Sequence, residues 1–479
     1  MGAQGQPEVA FGQPCGQYRG KIKQGKHQAM TKDLTKGNVW KVILSFSIPL
    51  LISSLVQQFY NMADSAIVGN LDTAGGLAAI GAAYPIVHFV TGIGTGSGMG
   101  CTVVISRLFG ERRMKDLRSA VYTGMISFSI LGIIIAAVGA VLAGTFMRWL
   151  GVNDEVFDGA RAYLSIYCLG AFPTLLYNAV SAAFTGMGDS RRPLYFLMGS
   201  SILNIILDII AVGPMHLGVR GAAWATVISQ IAVAVAALFM IMKKMKEIGT
   251  EEKSSVFDVR QFADIVKVAV PCILQQVSVS IGHLFLQGIV NTFGTAVMAG
   301  YEIGGKIVNF IYGCFNAMAT GLMSFAGQNI GAGEIRRCRE GFKATAIMCL
   351  IFSVIIAVVG FIFADQIIGL FVNNDEANIN EVIRVGALYL MIVLPDEIFV
   401  SVILACGGLM RGVGSINYFV AATISDLGTR VIFSFIFTKL FNSYTGIYWA
   451  WYVGMAVDMI MCIIWYVKNT RHGRLAEAE

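Results

Sequence analysis

Two carboxylates lie inside stretches apolar enough to cross a lipid bilayer: Asp64 in the run 42–69 and Asp208 in the run 193–214. An ionised carboxylate in a bilayer is costly and normally marks a site. Asp64 shares a helical stripe with Gln57 and Asn61, at spacings of four and three. Asn204 precedes Asp208 by four, so both point the same way on a helix. Thr226 offers a hydroxyl just beyond Gly221-Ala222-Ala223. Two carboxylates, an amide oxygen and a hydroxyl suit a hard cation such as Na⁺, or hold a proton between them. The competing reading makes Asp64 and Asp208 caps or hydrogen-bonding residues at the membrane edge. Their grouping in one half, each with polar partners at helical spacing, favours a site.

The second half differs in charge. Asp64 aligns with about Leu286, and Asn61 with His283, which shares one face with Gln276, Ser280 and Gln287. His283 reads as a hydrogen-bonded packing residue rather than a proton carrier. Asp396 and Glu397 follow Pro395, either as a second coupling site or as caps at the outer edge. Glu302 with Lys306, and Asp426 with Arg430, stand four apart and read as neutralised intrahelical pairs. Glu302, Lys306, Asp396 and Glu397 form the candidate polar site of this half. Asp458 has no evident partner. Gln57, Asn61, Tyr60, Gln276, His283 and Tyr301 are expected to line a cavity between the halves. Phe59, Phe89, Tyr177, Phe285, Phe310 and Met318 could add the π-faces and thioethers that tolerate varied lipophilic cations. No catalytic grouping, nucleotide loop or metal-ligand cluster is visible. The expectation is a non-enzyme without cofactors, apart from a transported Na⁺ or H⁺.

The elements that must position these residues follow from composition. Charged residues make up 13% and hydrophobic residues 56%, with a mean hydropathy of +0.68. Twelve apolar runs recur, roughly 42–69, 79–106, 120–147, 160–184, 193–214, 218–242, 262–292, 296–327, 343–364, 384–410, 416–440 and 446–467. Each is long enough to span, and backbone groups without water must satisfy one another as helices. Of 35 Lys and Arg, 28 fall in loops on one side or at the two ends, and five on the other side. The positive-inside rule then puts both termini in the cytoplasm, as an even span count also requires. The net charge of +6 is thus a topology signal, not a nucleic-acid one. The nine cysteines, mostly within spans and without Cys-x-x-Cys, read as small packing residues. The second span holds Gly92, Gly94, Gly96, Gly98 and Gly100, read as a close-packing seam rather than a flexible stretch.

The chain also repeats. Gly186-Met187-Gly188 returns as Gly412-Val413-Gly414, and Tyr163-Leu164 as Tyr389-Leu390, each 226 positions later. Gly221-Ala222-Ala223-Trp224-Ala225 returns as Gly446-Ile447-Tyr448-Trp449-Ala450 after 225, and Ile48-Pro49 as Val270-Pro271 after 222. Gly110, Lys115 and Arg118 match Gly331, Arg336 and Arg339 at 221. Two apolar halves of this kind place a binding site between bundles near the membrane midplane. The expected fold is an all-α integral membrane protein with twelve transmembrane helices in two pseudo-symmetric six-helix bundles. The expected divisions are a disordered cytoplasmic N-terminus (1–38), an N-lobe (39–242), a cytoplasmic linker (243–261), a C-lobe (262–468) and a cytoplasmic tail (469–479). Met30 could be the natural start.

Pro49, Asp64 fifteen residues later, Asn204 and Asp208 in span five and Thr226 in span six resemble the N-lobe cation site of MATE (multidrug and toxic compound extrusion) transporters, closest to the DinF-like branch. The repeated Gly-x-Gly after spans four and ten, and the Gly-rich second span with an Arg-rich loop after it, are similar too. The resemblance covers about residues 38–468. It implies that Ala222 adds a backbone carbonyl to the cation site and that Pro49 marks a hinge. It further implies a bacterial inner-membrane antiporter, expected to be a monomer, that exports lipophilic or cationic small molecules by alternating access. The alternative within the same superfamily is a lipid-linked oligosaccharide flippase, whose cavity would be basic. A major-facilitator carrier fits less well, because the basic loop after span two lacks the Asp-Arg-Gly-Arg pattern. A membrane scaffold or receptor would have no need of buried carboxylates.

Overall fold

The computed structural model describes residues 32–71, 74–248, 254–372, 378–473 and 475–476. The apolar runs become helices: α1 (Val39–Leu71), α2 (Ala74–Gly110), α3 (Met114–Trp149), α4 (Asp154–Leu169), α5 (Ala171–Gly186), α6 (Arg191–Val212) and α7 (Gly218–Glu247). The second half follows as α8 (Val259–Val290), α9 (Thr295–Gly331), α10 (Ile335–Gly369), α11 (Ile379–Val393), α12 (Glu397–Gly412), α13 (Ile416–Phe441) and α14 (Thr445–His472). Among the described residues there is no strand. The helices α4 and α5 form one span bent by 43° at Gly170. The counterpart span, α11 and α12, is interrupted by a 3-10 turn at Leu394–Asp396, where Pro395 supplies no N–H to a helical ladder. Counting the bent pair as one span gives the twelve expected.

The repeat is carried into the backbone. The helices α5 and α12 start and end 226 positions apart, and the glycines just past their ends, Gly188 and Gly414, both take the left-handed conformation (φ +84° and +80°) that glycine adopts without penalty.

Small residues let the two halves meet on the face where α1 begins and α14 ends, the chain-end face. A Cβ added at Gly96 would lie 2.7 Å from the Ile273 backbone nitrogen, and one at Gly100 would lie 2.8 Å from that of Ala269. Gly110 of α2 abuts Gln328 of α9, and Gly331 abuts Arg107. Toward the opposite face Gly81, Gly288 and Gly294 have nothing within 4 Å of that position. The lobes therefore close at the chain-end face and diverge into a cleft toward the other. The glycines of α2 are a packing seam inside an unbroken helix, as the sequence reading preferred.

Residues 32–38, expected to be disordered, are instead built into this seal, because their backbone groups find partners in both lobes. Lys32 N–H donates to the Gly188 carbonyl (3.1 Å) and Leu34 N–H to Gln328 Oε1 (3.1 Å). Arg337 donates to the Gly37 carbonyl (2.9 Å) and to the Leu34 carbonyl (3.3 Å), and Asp33 pairs with Arg112. Leu34 is fully buried in the C-lobe core. The remainder of 1–38, and residues 249–253 of the linker, lie outside the described residues. The helix α1 is shared between lobes. Its first turns (Val39, Val42, Ile43, Phe46) join the core of α9–α14, whereas Val68 near its other end packs on Val212 and Ala222.

Candidate cation site and cleft

Three helices converge on the first-half carboxylates. The helix α1 brings Asp64, α6 brings Asn204 and Asp208, and α7 brings Ala222 and Thr226. Gly221 allows the approach of α6 and α7, since a Cβ there would already sit 3.1 Å from the Ala211 carbonyl carbon. Asp208 and Asn204 are buried and Asp64 is half-buried. With its amide oriented to satisfy both neighbours, Asn204 donates to Asp208 Oδ2 (2.8 Å) and accepts from the Thr226 backbone N–H (3.1 Å). The Thr226 hydroxyl donates to the Ala222 carbonyl (3.1 Å) and touches the Tyr60 hydroxyl. The carboxyls of Asp64 and Asp208 approach to hydrogen-bonding distance. Asp64 Oδ1 and Asp208 Oδ1 are buried and receive no donor from the protein. Two carboxyls can face each other so closely only with a proton between them or a small cation bridging them. All the candidate donors are hard oxygens, so the set fits Na⁺ or H⁺.

The structure thus brings together Asp64, Asn204, Asp208, Ala222 and Thr226. Tyr60, one turn of α1 before Asp64, adds to this group: its hydroxyl bonds to Thr226 and lies within electrostatic reach of both carboxyls. Sequence reasoning gave no role to Tyr163 and Tyr167 of α4, which are both within electrostatic reach of Asp64 and whose rings stack (centroids 6.1 Å apart). The repeated Tyr163-Leu164 was the available signal.

The residues expected to line the cleft lie on both lobes. Gln57 and Asn61 are exposed on α1, and the Gln57 side-chain N–H donates to Asn61 Oδ1 (3.3 Å). Phe59 of α1 meets Phe310 of α9 edge-on, with centroids 6.4 Å apart. Tyr84 and His88 of α2 stack at 5.7 Å. Gln276 packs across from Gly92, and exposed His283 is close enough to His88 to feel its charge. Tyr301 does not line the cleft. It is buried in a C-lobe aromatic core against Tyr389 (5.2 Å) and Tyr448 (6.3 Å), because its face of α9 turns toward α11 and α14. Met318 is likewise buried in the C-lobe core, and Tyr177 is half-buried against the N-lobe core.

Known proteins resemble this chain in sequence and in architecture. The model of the MatE family matches residues 49–210 and again 271–436. The chain belongs to the MatE family. Its members are transporters rather than enzymes. The probable multidrug resistance protein YoeA of Bacillus subtilis is 23% identical over 448 residues, spanning 91% of this chain and 95% of that one. The probable multidrug resistance protein YpnP of the same organism is 26% identical over 414 residues (86% and 91%). Among solved structures, a MOP-superfamily transporter from Pyrococcus furiosus superposes with a TM-score of 0.85 at 23% identity, covering 93% of this chain and 98% of that one. An outward-facing multidrug resistance MATE transporter gives 0.85 at 24% identity (92% and 98%). At these identities the superpositions establish the fold.

The second lobe of this MatE protein carries its own charges. Glu302 and Lys306 make no ion pair with each other, contrary to the expected neutralised pair. Both are exposed on α9, where an ion pair in contact with solvent would gain only about 0–1 kcal/mol. Asp426 and Arg430 do pair, with Arg430 Nη2 at 2.9 and 2.7 Å from the two carboxylate oxygens. Asp396 and Glu397 are not caps at an outer edge. They sit at the break between α11 and α12, near the middle of that span, and both are buried. Asp458 accepts from the Cys462 thiol (3.5 Å). Asp396, Glu397 and Asp458 all lie within electrostatic reach of Arg430.

Proposed function

We propose that this MatE protein exports lipophilic, often cationic, small molecules in exchange for inward Na⁺ or H⁺. The observation that carries the reading is the pair Asp64–Asp208, whose carboxyls meet while Oδ1 of each is buried with no donor from the protein. An ion or proton held there, with Asn204, Thr226 and the Ala222 carbonyl as further ligands, joins α1 to α6 and α7. Its release leaves two like charges to separate in a low dielectric. The response would bend α1 at Pro49, which removes one backbone hydrogen bond between the turns packed on the C-lobe and the turns carrying Asp64. Tyr60 connects the two functions, with its hydroxyl at the ion site and its neighbour Phe59 exposed in the cleft. Moving the two-orientation equilibrium from 1:99 to 99:1 takes about 5.5 kcal/mol of differential affinity.

The basic loops and both chain ends would face the cytoplasm of a bacterial plasma membrane, which makes the described conformation open to the outside. A single chain is the transport unit in this reading. The names of the relatives favour drug export over lipid-linked oligosaccharide flipping. So does Arg430, whose guanidinium is closed off by Asp426 and is not free to hold a pyrophosphate.

The test is ethidium-type dye efflux from liposomes holding the purified protein, under Na⁺ and pH gradients imposed separately. Dye movement driven by one gradient is expected. Movement by neither, or transfer of a fluorescent lipid-linked precursor instead, would overturn the reading.

A further inference from the structure

The repeat gives each residue of the cation site a counterpart in the second lobe, and the contacts fix the register. Gly221 of α7 packs on Ala211 of α6, and Gly446 of α14 packs on Phe437 of α13. The offsets are 226 for α6 onto α13 and 225 for α7 onto α14. They match Asn204 with Arg430, Asp208 with Ser434 and Thr226 with Trp451. The matched pairs touch in both lobes. Asn204 accepts from Thr226 (3.1 Å), and the Arg430 guanidinium lies over the Trp451 ring, 4.0 Å from its centroid. Tyr163, which feels Asp64 and Asp208, corresponds to Tyr389, which feels Arg430 and Glu397. On the offset of 222 that relates Pro49 to Pro271, Asp64 falls on Leu286, which is buried.

The C-lobe counterpart has therefore lost both ion-binding carboxylates and gained a cation of its own. Four acids surround that cation: Asp426 by direct contact, and Asp396, Glu397 and Asp458 electrostatically. None of these five residues is more than 6% exposed. Both Asp396 oxygens and Glu397 Oε2 have no partner within the protein. Such a group of carboxyls is far costlier to bury without a positive charge in its midst than with one.

We propose that Arg430 is a tethered cation occupying, in the C-lobe, the place that an exchangeable ion takes in the N-lobe, and that the acids around it form a latent binding site for a free guanidinium ion. The proposal rests on the reading of the N-lobe pair as an ion site. A tethered charge cannot leave, so the C-lobe keeps the same electrostatics in both orientations while the N-lobe loads and unloads. One lobe is then the exchanger and the other a fixed counterpart.

The experiment removes the tether. Arg430→Ala is purified in an Asp208→Asn background, which silences the N-lobe site, and its thermal unfolding is followed while low-millimolar guanidinium is added. Methylguanidinium serves as the analogue and tetramethylammonium as the control. The expected result is a lowered Tm that guanidinium and methylguanidinium raise saturably by several degrees, with no response to tetramethylammonium and none in the Asp208→Asn parent. In the Asp208 background, guanidinium is expected to raise dye export by Arg430→Ala at least tenfold. A folded Arg430→Ala protein indifferent to guanidinium overturns the proposal. If Arg430→Ala does not fold, Arg430→Lys and Arg430→Gln decide. Lys, which keeps the charge, should give folded and active protein where Gln does not, and the reverse order overturns the proposal. Failure of the N-lobe reading would appear separately, as export by Asp208→Asn equal to wild type.

Discussion

Gln328 donates its side-chain N–H to the Gly186 carbonyl at 2.9 Å and accepts the Leu34 N–H at 3.1 Å, so one buried amide ties α9 to α5 and to the segment ahead of α1. Opening the lobes at this face must break both bonds. Gln328→Ala leaves a buried carbonyl and a buried N–H unpaired in the closed form only, at about 1–3 kcal/mol. The expected outcome is a shift toward the form open at the chain-end face. It would be read as a longer distance between spin labels at Arg191 and Ala332, both exposed there. An unchanged distance distribution would remove Gln328 from the closure.

Asp33 makes the same seal sensitive to acid. Burial pushes its carboxyl up, but hydrogen bonds from Thr35 and Arg112 outweigh this and hold it below its usual 3.8. A depressed carboxylate contributes stability that is present above about pH 4 and fades as pH falls through the lower folded value. The pair is partly exposed, so the contribution is about 0.5–1 kcal/mol. The labelled protein should begin to open below about pH 4, and Asp33→Asn should show the weakened seal at neutral pH with a flatter acid response. Identical pH curves for both would exclude this role.

Much of this was legible because lipid leaves a chain few choices. Length and apolarity alone located the twelve spans, and Gly186 with Gly412 registered the repeat. Asp64, Asn204 and Asp208 stood out because charge and amide are rare in such runs, and helical spacing assigned their direction. Other features needed the packing. Tyr301 and Tyr60 have the same composition and similar settings in sequence, yet one faces a C-lobe core and the other an acid pair. That difference depends on which neighbour each helix face meets. Residues 32–38 read as polar and formless because their partners, Gly188, Gln328 and Arg337, lie far along the chain. Asp396 and Glu397 could not be placed because the 3-10 turn that buries them follows from Pro395 within one span, not from any periodicity.

Removing either acid of the ion site should uncouple transport without unfolding the protein. Asp64→Asn and Asp208→Asn keep shape and hydrogen-bonding capacity but cannot hold a cation between two carboxyls. Dye export under the coupling gradient is expected to fall at least tenfold in each, with normal expression and a monodisperse gel-filtration profile. Tyr60→Phe keeps both carboxyls and loses one hydroxyl at Thr226, worth about 0.5–1.5 kcal/mol, so its ion dependence should shift by roughly threefold to tenfold rather than vanish. Full export by both asparagine variants would sink the site.

The glycine seam offers a steric test of closure, because it separates positions that differ only in what lies opposite. Gly96→Ala would push a methyl to within 2.7 Å of the Ile273 backbone nitrogen and 2.8 Å of its Cα, and backbone cannot swing aside as a side chain can. Such overpacking costs typically about 1–3 kcal/mol, all of it in the form where the lobes touch. Gly81, on the same helix but in the divergent half, has nothing within 4 Å, so Gly81→Ala gains helix propensity and meets no neighbour in this form. Gly96→Ala is therefore expected to favour the form open at the chain-end face and slow the export cycle. Gly81→Ala should leave the described form intact and penalise only the opposite orientation, if the divergent half closes there. Accessibility of single cysteines introduced at Ala332 distinguishes the two: labelling should rise in Gly96→Ala and stay at the wild-type rate or fall in Gly81→Ala. Equal labelling in all three proteins would mean that the seam does not limit closure.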